Sequence, residues 1–324
     1  MIRYVASRLI QGLITVFIAV LIIFSVVNLA PGDPILFLVG GGEPPPPDVV
    51  AQLRREYGLD RPLIERLGIY ASKLLRLDLG HSYIYQISVA EMVLARLKAT
   101  ALLAIPAYVL STLFGVALAV VATRRPGTLL DKLINGSSTV LFSLPTFWVG
   151  EVLVLVFAVK LDLLPASGLT DPKTPPGLWN YLTDVARHIV LPLTTLTLVY
   201  LGLMTRVARS LILEVMQEDF VMMARAVGYD ERTLVTRYAL RVAILPVITM
   251  ANYNLAFLLS GSILVETVFS WPGIGTLLYD SILKRDYPMI SGIFYATILF
   301  SVLINLVTDL VYALLDPRVR LARR

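Results

Sequence analysis

Few residues in the apolar parts of this sequence are of a type that does chemistry. Glu151, in Phe147-Trp148-Val149-Gly150-Glu151-Val152, and Asp309 are the carboxylates read inside long apolar runs, with Asn252, Asn254 and Asn305 as neutral polar groups. A carboxylate in such a place is protonated or paired, because burial disfavours its charged form and a bilayer penalises it. Glu151 therefore has two readings. It hydrogen-bonds another helix or pairs with a partner subunit, or it lines a pathway and meets a cationic group of a substrate. Asp309 lies nearer the inner end of its run, which suits a structural role. The two histidines, His81 and His188, are far apart and lack a neighbouring ligand pattern, which argues against a metal centre. The sequence has no cysteine, which excludes disulfides, thiolate metal sites and cysteine nucleophiles. Nor does it hold a Gly-rich phosphate loop ending in Gly-Lys-Ser/Thr, an HExxH or GxSxG motif, or paired aspartates in the apolar runs, so neither nucleotide binding by that loop nor hydrolysis is indicated.

Composition says what elements must hold these groups. The chain has 324 residues, 57% hydrophobic and 16% charged, with a mean hydropathy of +0.76. That is too apolar for a soluble domain of this length and places the chain in a bilayer. Its formal charge of +5 is weighed loop by loop, since basic residues of a membrane protein mark the cytoplasmic side rather than a nucleic-acid partner.

Six apolar runs read as spans: Leu9 to Leu29, Thr100 to Ala122, Ile134 to Val159, Ile189 to Val207, Leu245 to Val268 and Ile290 to Leu315. The first follows Arg3 and Arg8 as a secretory signal would, but its length and its end in Pro31-Gly32-Asp33-Pro34, without a strong cleavage pattern, mark a retained helix. Residues 31–99 read as a loop domain outside the membrane, with Gly40 to Gly42, the proline run Pro44 to Pro47 and a charged stretch at Arg54, Arg55 and Glu56. Starting from an inside N-terminus, alternation places Arg124, Arg125 and Lys132, then Arg206 to Arg241, then Arg318, Arg320, Arg323 and Arg324 on the cytoplasmic side. The short outer loops keep Lys160, Lys173, Arg187, Lys284 and Arg285, an asymmetry that supports this orientation. The expected organisation is 1–30 for the N-terminus and first span, 31–99 for the loop domain, 100–315 for the core with a cytoplasmic region at 209–244, and 316–324 for a cytoplasmic tail. Pro106, Pro145, Pro192 and Pro246 punctuate the spans and are expected to kink them.

The cytoplasmic stretch Glu218 to Pro246 is amphipathic where its surroundings are apolar. Phe220, Met223, Ala224 and Val227 fall at i, i+3, i+4 and i+7, a stripe on one side of a helix of about two to three turns. Gly228 can close that helix in the left-handed conformation, and Asp230 is a fair N-cap for a second helix running toward Leu245. The product is a docking surface or an ordinary amphipathic helix on a surface.

Ala224-Arg225-Ala226-Val227-Gly228, Arg237-Tyr238-Ala239-Leu240-Arg241 and Leu245-Pro246 resemble the cytoplasmic EAA-type loop of ABC importer permeases, in its dipeptide/oligopeptide (peptide/nickel) form. Further segments are similar to that family: Pro31 to Pro34, Leu144-Pro145-Thr146-Phe147-Trp148, Glu266 to Gly275, Arg285-Asp286-Tyr287-Pro288, and Asn305 to Arg320 with Asp309, Tyr312 and Asp316-Pro317-Arg318 in register. The resemblance covers the whole chain and points to the first of two permease subunits, the one with the long outer loop. Two departures from the general EAA pattern, Met222-Met223-Ala224 at its Glu-Ala-Ala positions and a longer spacing from glycine to Leu-Pro, are shared with the peptide branch. Glu151 stands where the family usually has an apolar residue.

The resemblance implies an all-α membrane protein, a six-span helical permease bundle with an extracytoplasmic loop domain after span one. It implies a non-catalytic subunit of the inner (cytoplasmic) membrane, both termini cytoplasmic, that binds no cofactor or metal, with ATP and Mg held by two partner ATPase subunits. A second homologous permease subunit and an extracytoplasmic substrate-binding protein complete the assembly. Di- and oligopeptides are the implied substrates, with nickel or another small solute as the alternative within the family. Asp219, Phe220, Met223, Ala224, Arg225, Val227 and Gly228 become the coupling helix that docks on an ATPase, oriented by Arg225 and Arg232. Glu151, Asn252 and Asn254 are the candidate pathway residues. From another class, a stand-alone carrier or channel is the alternative, and a membrane enzyme would need a nucleophile or metal set that the spans lack.

Overall fold

The computed structural model describes residues 2–29, 46, 48–50, 60–259 and 263–315. Pro31 to Pro34, Gly40 to Gly42, Pro44, Pro45, Pro47, Arg54, Arg55, Glu56 and everything from Asp316 onward, with the terminal arginines, lie outside the described residues. The helices follow in the order α1 (Ile2–Leu29), α2 (Leu63–Leu75), α3 (Val89–Thr123), α4 (Leu129–Ser143) and α5 (Thr146–Leu153), which continues into a π-helical segment (Val154–Lys160). Next come α6 (Leu178–Val215), α7 (Asp219–Ala226) and α8 (Glu231–Thr233), the last continuing through π-helical Leu234–Ala239 into α9 (Leu240–Leu259). Finally α10 (Ile263–Val268), α11 (Ile274–Leu283) and α12 (Tyr287–Leu315) close the order.

Five helices among the described residues are long and apolar enough to cross a membrane, and a sixth span results if the bent pair of α4 with the helix through Lys160 is one crossing. That pair is bent by 98°, which corrects the reading of Ile134 to Val159 as one continuous run. Leu144, held extended at φ −75° and ψ 137°, precedes Pro145, and the clash of a proline ring with the preceding residue excludes the helical region there. Pro106, Pro192 and Pro246 instead lie inside helices that run through them. The run Leu245 to Val268 covers most of α9 and all of α10, with residues 260–262 between them outside the described residues, and the helical stretch long and apolar enough to cross extends back to Glu231.

The chain forms two compact units, Met1–Lys98 with Ile274–Arg324, and Ala99–Gly273. In the first, Arg8 Nε lies 3.0 Å from the Asp309 carboxylate, which provides the acid of the last span with an intrachain partner. Val20, Ile23, Leu74 and Tyr295 bury one another beside this pairing of α1 and α12, and the Tyr295 hydroxyl donates to the Leu74 carbonyl at 3.0 Å. Fully buried Asp286 accepts from the N–H of Met289 (3.3 Å) in the first turn of α12. It also accepts from the Ser82 hydroxyl and from the N–H groups of Tyr83 (3.3 Å) and Ile84 (3.4 Å), tying the 82–84 turn to that helix.

In the second unit α6 is the spine. Its 38 residues span about 57 Å at 1.5 Å per residue, well beyond a hydrocarbon core of about 30 Å, so the helix carries its basic end out of the apolar layer. Arg209 on that end donates to Asp131 on α4 through Nε (2.7 Å) and a terminal nitrogen (2.8 Å). The Gly127 N–H adds a third bond to the same carboxylate at 2.8 Å. The Asp131 side chain is only 4% exposed, so Arg209→Met strands a carboxylate. The expected cost is about 3 kcal/mol, read as a lowered thermal midpoint of the detergent-solubilised protein, with most of the loss recovered in the double variant Asp131→Asn/Arg209→Met.

Candidate functional site

The amphipathic stretch between α6 and α9 folds as helix, turn and helix. Glu218, with extended backbone, precedes α7, and its carbonyl accepts the Val221 N–H at 2.9 Å. The helix ends at Val227, where Gly228 takes φ +103°. The Gly228 N–H donates to the Arg225 carbonyl (3.0 Å) and the Tyr229 N–H to the Ala224 carbonyl (3.3 Å), the paired bonds of a Schellman cap. Glycine suits this position because left-handed backbone costs a side-chain-bearing residue energy. Asp230 then takes the N-cap position of α8. The Thr233 side chain holds its carboxyl below the usual carboxylate range, with first-turn backbone N–H groups adding to the effect.

Two faces of α7 serve two environments. Val221 and Ala224 turn inward into a cluster with Ala208 and Ile212 of α6, Met216 at its end, and Leu234, Val235, Ala239, Ala243 and Val247 of the following helix. Burial of this kind is worth about 25 cal/mol per Å² of apolar surface, and it clamps the short helix to the ends of both long ones. On the other side Phe220 (41% exposed), Met223 (68%) and Val227 (76%) form an outward apolar ridge. The expected stripe of Phe220, Met223, Ala224 and Val227 is thus corrected at one residue. Ala224 faces inward, and Val221, absent from the stripe, is its deeper companion.

Arg225 also differs from its expected role. It donates bidentately to Glu231, at 2.9 and 3.2 Å, and so braces the turn from within the chain. Arg232 and Asp219 are exposed. Tyr229, half-exposed, lies 5.5 Å from the Tyr238 ring. Exposed apolar surface next to charged residues, on a helix whose reverse side is locked into a core, is the form of a docking surface.

The residues expected to line a pathway are placed apart from α7 in sequence. Glu151 sits on α5, exposed, with Phe147 (45%) and Trp148 (48%) on the same side. Asn252 is half-buried on α9, while the side chain of Asn254 lies outside the described residues.

Glu266 was passed over in the sequence, although it lies in the fifth apolar run. It is fully buried and accepts the Thr100 hydroxyl at 2.8 Å. A Cβ at Gly273 would stand 2.1 Å from its carboxyl carbon. Around it the Trp271 N–H donates to the Glu266 carbonyl (2.8 Å), the Trp271 indole N–H to the Ala99 carbonyl (2.9 Å), and the Gly168 N–H to the Phe269 carbonyl (2.8 Å). The signal was an acid inside an apolar run close before Trp271-Pro272-Gly273. His188 is likewise nearly buried and lies 3.1 Å from the Asp184 carboxylate, beside a cavity of about 230 Å³ walled in part by Asp162, Asp171 and Arg187. Among the described residues no group of three or more His, Cys, Asp or Glu side chains could hold a metal ion.

Comparison with known proteins adds to this geometry. The family described as binding-protein-dependent transport system inner membrane component matches residues 111–321. The di/tripeptide transport system permease protein DppB of Pseudomonas aeruginosa is 34% identical over 334 residues, covering 99% of each chain. The dipeptide transport system permease protein DppB of Escherichia coli is 34% identical over 340 residues, again with 99% of each chain covered. Among solved structures, an inward-facing form of the MetNI methionine ABC transporter is similar, with a TM-score of 0.52 and 15% identity, covering 69% of this chain and 96% of that one. At that identity the likeness concerns fold.

Proposed function

Because the chain belongs to the family of binding-protein-dependent transport system inner membrane components, we propose that it forms half of the translocation path of an ATP-driven importer for di- and oligopeptides. A second, related permease subunit supplies the other half. Two ATPase subunits hold ATP and Mg and perform the hydrolysis, an extracytoplasmic binding protein delivers the substrate, and this chain is non-catalytic and binds no cofactor. The protein sits in the cytoplasmic membrane with both termini on the cytoplasmic side, a reading supported by the distribution of Arg and Lys over its loops. Peptides are the favoured substrate class because the full-length relatives from Pseudomonas aeruginosa and Escherichia coli are named for di/tripeptide and dipeptide transport.

The observation that carries this reading is the outward ridge of Phe220, Met223 and Val227 on a helix whose inner face shares a core with α6 and α9. In this proposal the ridge seats in a groove of one ATPase. Movement of that subunit is passed through Val221 and Ala224 to the two long helices, because packed cores shift between discrete arrangements and do not stretch. Arg225 keeps the turn rigid through Glu231, and Arg232 remains exposed to a partner's charge.

Gly228→Val tests it. No heavy atom lies within 4 Å of where the Cβ would stand, so the change acts on the backbone alone, at a cost of about 1–2 kcal/mol for a left-handed residue. The cap then opens and the ridge loses its alignment. The expected result is an assembled complex that hydrolyses ATP without importing peptide, and normal import by this variant would count against the coupling role of α7.

A further inference from the structure

Resting on the importer reading, we propose that Glu151 is a specificity-determining residue of the path and binds the ammonium group of the passing peptide, flanked by the aromatic rings of Phe147 and Trp148. The face assignment comes from packing. Val149 and Gly150 form the inner side of α5, where a Cβ on Gly150 would lie 3.1 Å from the Phe269 ring and 3.3 Å from Val268. Phe147, Trp148, Glu151 and Leu155 form the outer side, all exposed. The Glu151 side chain makes no hydrogen bond or ion pair among the described residues.

Its setting is apolar in both directions along the chain. Phe147 to Gly150 precede it, and Val152 to Val159 separate it from Lys160. A carboxylate turned away from its own bundle at this depth does not face lipid, because ionisable groups in membrane segments face a protein interior or a water-filled cavity. Phe147 and Trp148 lie four and three residues before Glu151, spacings that make both of them its neighbours on the helix surface. A carboxylate with a Trp and a Phe on one face is complementary to an organic cation. It offers a charge-assisted hydrogen bond and two π-faces. Every peptide with a free N-terminus carries that cation, whatever its side chains, so one acidic group can serve substrates of varied sequence.

The experiment uses the purified permease–ATPase complex. Dialanine is titrated against it with tryptophan fluorescence as the readout, and ATP-driven dialanine import is measured after reconstitution with the binding protein. The expected results are binding weakened about tenfold or more in Glu151→Gln, retained in Glu151→Asp, and weak for N-acetyl-dialanine in the unaltered complex, with import following binding. Unchanged binding and import in Glu151→Gln overturn the proposal while leaving the importer reading intact. Loss of the second permease subunit from purified Glu151→Gln complex overturns it too, since the acid would then be pairing with a partner. An unaltered complex that binds dialanine without importing it counts against the importer reading alone, and one that does neither removes the peptide substrate and this proposal with it.

Discussion

Replacing Met223 with aspartate is expected to leave the chain folded and inserted while ATP-dependent peptide import falls more than tenfold, at the about 2 kcal/mol or more that a central interface residue contributes. Met223 is 68% exposed, so a charge there stays in water as long as the chain is alone. Exposed substitutions of this kind change stability by within about 0.5 kcal/mol. Docking changes that balance, because a carboxylate pressed into an apolar groove loses its hydration without gaining a partner. Val221→Asp is the contrasting variant. Only two residues away, Val221 is fully buried against α6 and the helix after α8, so a charge there damages the chain itself. Copurification of the ATPase with tagged permease separates the two: the Met223 variant should appear in the membrane without its ATPase, and the Val221 variant should be depleted from the membrane altogether. A Met223→Asp complex that copurifies and imports normally would remove α7 from the docking role.

Gly273→Ala is expected to be strongly destabilising. The added Cβ would meet the Glu266 carboxyl carbon and both its oxygens at 2.1 to 2.4 Å, far inside van der Waals contact. The end of a glutamate side chain usually swings away at little cost. Here it is fully buried and accepts from Thr100 at 2.8 Å, so displacement breaks a bond to a group that finds no water. Leaving such an acceptor poorly satisfied costs on the order of 3 kcal/mol. The measurement is the thermal midpoint of the solubilised protein together with its yield in the membrane. A double-mutant cycle shows the cause. In a Glu266→Ala background the clash is gone, and Gly273→Ala should then cost little. Equal losses in both backgrounds would mean that the carboxylate is not what the glycine accommodates.

Much was legible along the chain because it depends on sums over neighbours in sequence. Hydropathy located the crossings of α1, α3, α6 and α12, since about 20 apolar residues are needed wherever they occur, and the asymmetry of Arg and Lys supported an orientation. Gly228 and Asp230 were readable as a helix stop and start because a cap is decided within a few residues, and the observed φ of +103° and the N-cap position agree. The resemblance to peptide importer permeases was likewise carried by short segments spread over the whole length, in keeping with relatives matched over 99% of the chain.

Only tertiary structure decided what each group faces. A 3.6-residue period names a stripe, but which edge of it turns inward depends on the helix placed against it. For that reason Ala224 was assigned outward and Val221 overlooked. Arg225 was assigned to a partner because Glu231, across a turn, was not visible as its mate. Glu266 was enclosed by Thr100, 166 residues away, and by Gly273, just beyond the end of α10. Glu151 shows the division most plainly: its presence in an apolar run was a property of the sequence, whereas its position on the outer side of α5 follows from Gly150 packing on Phe269, a contact between segments more than a hundred residues apart.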